Sequence, residues 1–134
     1  MYCKNILIAL CVTCLTGCAT SPPIVPAAEL QGADYGAYPK DYKKVVEDYY
    51  SPSLKDPYSA HYAFPDKPIK GYTRTAPVAG GKPRNFGYVI TACVNAKNGF
   101  GAYTGDHCDR LLIRNGVVLE QIPPNVWFAE PWYR

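Results

Sequence analysis

Six cysteines and two histidines are the side chains of this 134-residue chain best suited to covalent or metal chemistry. Cys93 or Cys108 with His61 or His107 would supply a thiolate nucleophile and an imidazole base. Such a thiolate needs activation, commonly by a helix N-terminus or a neighbouring cation. The sequence offers neither setting: Cys93 falls inside an apolar run that reads as a strand, and Cys108 at the end of a glycine-rich loop. Asp106, His107, Cys108 and Asp109 are metal-capable residues in a row. Adjacent side chains rarely converge on one ion, and no CxxC or HxxxH spacing accompanies them. No pair of carboxylates stands out for glycoside chemistry, and no glycine-rich loop precedes a helix to cradle phosphate. The residues therefore predict no enzyme, no cofactor and no metal site.

The N-terminal cysteines belong to a different argument. Lys4 is followed by the uncharged apolar run Ile6–Leu15 and then by small Thr16 and Gly17. That order is the one a secretory signal peptide needs, and the run is far short of the roughly 20 apolar residues that span a bilayer. Leu15-Thr16-Gly17-Cys18 resembles the lipobox of bacterial lipoproteins: a branched apolar residue, two small residues, then cysteine. Cys14 fits less well, because Cys11 stands where that motif wants an aliphatic residue. The resemblance implies a diacylglycerol thioether on Cys18, cleavage after residue 17, and acylation (palmitate or a similar chain) of the new amino group. Each buried CH₂ contributes about 0.8 kcal/mol, and two or more chains anchor stably without a transmembrane helix. Ala19 stands where lipoproteins kept in the inner membrane commonly carry Asp, so the resemblance implies the outer membrane, facing the periplasm or the surface.

Export changes the reading of the remaining pair. In an oxidising compartment, Cys93 and Cys108 are most simply a disulfide, with a nucleophile or two metal ligands as the alternatives. Closing a loop of about that size contributes about 3 kcal/mol in the chain-entropy model. The formal charge is +3 for the whole chain, less the one charge of Lys4 on processing, and is mixed in sign. Nucleic-acid binding is not indicated. With 12 tyrosines and 13 prolines, the composition suits short strands and turns better than a helical bundle.

Three segments follow: a signal peptide over 1–17, a Pro-rich tether over 18–38, and one small domain over 39–134. Pro39–Tyr50 reads as a helix, with Tyr42, Val45, Val46 and Tyr49 on one apolar stripe and Lys43–Glu47 and Lys44–Asp48 as i,i+4 pairs on the other face. Ser51-Pro52 stops it. Asp56-Pro57 reads as a turn. Strands are expected at His61–Phe64 and Ile69–Thr75, and a loop over Ala76–Asn85. Phe86–Asn95 is the strongest strand, with Phe86, Tyr88, Ile90, Ala92 and Val94 on one face and Val89, Thr91 and Cys93 on the other. Apolar residues on both faces suit a central position. Leu111–Arg114 and Val117–Glu120 form a hairpin around the turn dipeptide Asn115-Gly116. Trp127-Phe128 and Trp132-Tyr133 are expected to lie across the sheet. The fold expected is α+β: one N-terminal helix packed on a small antiparallel sheet of four or five strands.

Leu54–Ala60, Cys93–Asn98 and Gly101–Gly105 together resemble a module of small exported bacterial proteins of unassigned activity, which transfers no catalytic residue. The best working surface is the Asn95–His107 loop, which offers Lys97, Asn98, Phe100, Tyr103 and His107 between the two cysteines. Pre-organised loops lower the ordering cost of binding, although such a loop also serves simply to close a sheet. The sequence thus predicts a membrane-anchored cell-envelope lipoprotein presenting a non-enzymatic binding or structural domain, its partner an envelope protein or cell-wall polymer. The alternatives are a cell-wall hydrolase using a Cys-His pair and an accessory lipoprotein subunit of an envelope assembly or secretion complex.

Overall fold

The computed structural model describes residues 25–75 and 80–122. The signal segment, Cys18 and the C-terminal aromatic pairs lie outside the described residues. The described elements are two α-helices, α1 (Ala27–Gly32) and α2 (Tyr42–Tyr50), a 3₁₀ turn at Ser51–Ser53, and five strands: β1 (Asp56–Ala63), β2 (Ile69–Arg74), β3 (Pro83–Lys97), β4 (His107–Arg114) and β5 (Val117–Ile122). All pairings are antiparallel. The architecture is α+β, a five-stranded sheet with a short helix on one face.

The 15-residue β3 is the axis of the sheet. Along one side it pairs with β2 through its N-terminal half and with β1 through its C-terminal end, so β1 and β2 share that side. Along the other side it pairs with β4, which pairs in turn with β5. The alternation in β3 sorts its side chains as a period of two requires. Ile90, Ala92 and Val94 join Leu111 and Ile113 beneath Val46 and Tyr50 of α2. Val89 turns to the opposite face and meets Leu112 and Ile122. At Gly87 an added Cβ would lie 2.6 Å from the Ile113 carbonyl oxygen, so only glycine admits this approach of β3 to β4. The sheet also curls: the Thr73 hydroxyl of β2 donates to Glu120 of β5 at 2.8 Å, reaching past β3 and β4.

Several elements differ from their expected form. The buried line of α2 runs through Val46 and Tyr50, while Tyr49 is 38% exposed and donates from its hydroxyl to Gln121 at 3.0 Å. Lys44 pairs with Asp48 at 2.8 Å, but Lys43 lies over the Phe64 ring rather than on Glu47. β1 starts at Asp56, five residues before the expected strand, because a register shift between Asp56 and His61 lets the chain carry Pro57 in an outer strand. Asn115 and Gly116 both take positive φ, at 51° and 76°, which the tight β4–β5 turn requires. Within the Pro-rich stretch, α1 follows Pro26 and buries no residue. Farther on, Tyr35 packs edge-on to Phe86 and Tyr38 edge-on to Tyr88.

Candidate functional site

Cys93 and Cys108 stand opposite each other on β3 and β4 and are joined in a disulfide, S–S 2.01 Å. With both sulfurs joined, neither carries a thiolate. The histidines address other groups: His61 lies 3.0 Å from the Tyr103 hydroxyl, and His107 lies 3.1 Å from Asp109. Among the described residues, no group of three or more His, Cys, Asp or Glu is placed to hold a metal ion.

The Asn95–His107 loop is folded on itself. Asn98 Oδ1 accepts from the N–H groups of Phe100 and Ala102, at 2.9 and 3.2 Å. The Asn98 carbonyl accepts from Gly101 at 3.0 Å, and Gly105 N–H donates to the Asn95 side chain at 3.1 Å. Lys97 and Tyr103 form an isolated bridge across the loop. These contacts leave Phe100 97% exposed at the tip. Loop order here is set by backbone hydrogen bonds, which the short polar Asn side chains supply locally.

The five residues singled out in the sequence therefore divide. Lys97 and Tyr103 come together, with Nζ 5.5 Å from the ring centroid. Phe100 stands apart at the tip, and Asn98 is spent on the loop's own backbone. His107 turns to the helix side of the sheet, where its partner Asp109 is 2% exposed. Asp109 also accepts from the Tyr50 hydroxyl at 3.0 Å and from Gln121 at 2.6 Å, so α2, β4 and β5 meet on one satisfied carboxylate. Burial, and then the bond to Asp109, push the Tyr50 phenol well above its ordinary range. That cluster holds the helix to the sheet.

His61, which the sequence offers only as one possible partner of a cysteine, belongs to the loop site. Its ring meets Tyr103 edge-on, with centroids 5.2 Å apart. Only the register of β1 against β3, which sets His61 opposite Asn95, brings it there. A separate cleft of about 420 Å³ opens between α2 and β1, where Glu47, Asp48, Tyr58 and Tyr62 form part of its wall. Tyr58 is fully exposed at that cleft.

No protein-family model, curated protein or solved structure matches this chain.

Proposed function

We propose that this protein is a lipid-anchored lipoprotein of the bacterial cell envelope whose small domain binds an envelope partner and performs no catalysis. The finer architecture follows the same reading: a lipidated Cys18, a Pro-rich spacer, and the domain held away from the membrane, in the outer membrane facing the periplasm or the surface. The order Lys4, apolar run, Leu15-Thr16-Gly17-Cys18 supports the address. The observation that carries the binding role is Phe100, a large apolar side chain held 97% exposed at the tip of a loop ordered by its own hydrogen bonds. An ordered loop that spends no apolar burial on its tip is suited to contact with something else. The disulfide supports the non-enzymatic reading, since it consumes the only thiols the domain offers to a histidine. An accessory subunit of an envelope assembly or secretion complex would differ in partner alone.

The test is the intact mass of the protein recovered from membranes, before and after reduction and alkylation. A chain beginning at Cys18 with added diacylglyceryl and acyl mass is expected, with Cys93 and Cys108 alkylating only after reduction. Cys18→Ala should abolish the added lipid mass and leave the chain uncut after residue 17. A chain without lipid, or a Cys18→Ala chain cut and acylated like the native one, overturns the anchor.

A further inference from the structure

We infer that the sheet face opposite α2 is a docking strip for an extended, acidic polypeptide segment, held by Arg110 at one end and by Lys97 with Tyr103 at the other. The placement follows from register. Ile90, Ala92 and Val94 face the helix, and burial keeps alternating through Lys97, so Thr91, Cys93, Asn95 and Lys97 lie on the other face. Across the ladders, Arg110 stands opposite Thr91, Cys108 opposite Cys93, and His61 opposite Asn95. The face is closed at its far end by Val89, Leu112 and Ile122. From Thr91 to Lys97 it is only partly covered.

Apart from Asp56 at its loop end, the charge that the described residues place on this strip is positive. Among the described residues, the Arg110 guanidinium has no hydrogen-bond or ion-pair partner, and the Lys97 ammonium has no partner beyond the Tyr103 ring. Among the described residues no carboxylate stands between them on the face; those placed there are Thr91, the disulfide, Asn95 and His61. Glu120, beyond Arg110, is already held by Arg84, Thr73 and Asn85. Asp56 stands opposite Lys97 in the ladder and offsets part of its charge without forming an ion pair, which makes Arg110 the stronger anchor. A guanidinium fork donates two parallel hydrogen bonds to a carboxylate.

Spacing argues for a polypeptide rather than a saccharide. Arg110 and Lys97 are six residues apart along β3, about 20 Å at the rise of a strand. An extended segment has the same rise and shows every second side chain on one side. Acidic residues at i and i+6 would then meet both cations, with small or polar residues at i+2 and i+4 over the disulfide and Asn95. Past Lys97 the segment would run toward Phe100, where an apolar residue fits. This inference rests on the loop as a contact surface and not on the lipid anchor, so either can fail alone.

The test uses the purified full-length protein and a labelled peptide carrying Glu at i and i+6 and Phe beyond the second. Binding is read by fluorescence anisotropy at low salt and at about 0.5 M salt, where charge attraction between exposed groups is screened. Controls are the same peptide with both Glu changed to Gln, one with the second Glu moved to i+5, and heparin as a polyanion without strand spacing. The i,i+6 peptide should bind, and both peptide controls should bind about tenfold or more weakly. Arg110→Gln and Lys97→Gln should each weaken it about as much. Lys97→Gln decides alone if Arg110→Gln does not fold. Absence of peptide binding, equal binding of the i+5 peptide, binding indifferent to both substitutions, or heparin binding in place of the peptide would overturn the proposal.

Discussion

Glu120 shows how much of the curl of this sheet depends on one side chain. Its carboxylate accepts from Thr73 of β2 at 2.8 Å and from Asn85 of β3, and pairs with Arg84 at 2.6 Å. Burial alone would raise its pKa, yet the bonds from Arg84, Thr73 and Asn85 outweigh burial and hold it below the usual glutamate range. The folded value is thus depressed relative to the unfolded one. The group contributes stability above the unfolded pKa, about 4.3, and that contribution is lost as pH falls through the folded value. Urea midpoints of the native protein should therefore decline as pH drops below about 5. Glu120→Gln should lower the midpoint at pH 7 and flatten the acid limb. An acid limb as steep in the variant as in the native protein would show that other carboxylates set it.

Among the elements, β3 and β4 hold most of what was legible in advance. A run rich in β-branched and aromatic residues with apolar side chains on both faces suits a central strand, and Phe86–Asn95 is central. The Asn115-Gly116 turn was equally readable, since two successive positive φ values suit few dipeptides. What the sequence hides is pairing at a distance. Nothing local in His61-Tyr62-Ala63 says that His61 will meet Tyr103, because that depends on the register of β1 against β3, strands far apart in the chain. Nor does Asn98 declare that its side chain will be used up by its own loop. The disulfide spans a sequence separation of 15 and fastens the strands at the root of that loop. Cys93→Ser with Cys108→Ser should cost about 3 kcal/mol, read as a lower urea midpoint. Because Val94 and His107 still pair beyond it, the loop amides should exchange faster without the fold being lost. Unchanged exchange between residues 95 and 107 would show that the loop's own hydrogen bonds suffice.

At the scale of the molecule, the question is how the chain enters its domain. Residues 34–38 form a strap against β2, β3 and the β4–β5 hairpin. Asp34 pairs with Arg114, and the Ala37 N–H donates to the Asn115 side chain at 3.4 Å. Tyr35 sits edge-on to Phe86 with centroids 5.5 Å apart and under Lys70 at 5.1 Å, while Tyr38 meets Tyr88 at 5.3 Å. The Gly36 N–H and then Arg114 draw the Asp34 carboxyl below its ordinary range, although it lies in solvent. An exposed ion pair is worth little by itself. Edge-to-face aromatic pairs contribute about 0.5–1.5 kcal/mol each beyond their buried area, so the two tyrosines carry the strap. Any pull on the N-terminal side of the chain would reach the domain through these contacts, at the end of the sheet away from the Asn95–His107 loop. Tyr35→Ala with Tyr38→Ala should then lower stability by about 1–3 kcal/mol, whereas Asp34→Asn should change it by less than about 1 kcal/mol. Chemical denaturation of the three proteins side by side separates these contributions. A loss confined to Asp34→Asn would mean that charge and not aromatic packing holds the entry. No loss in either variant would mean that the strap rests on the sheet without stabilising it.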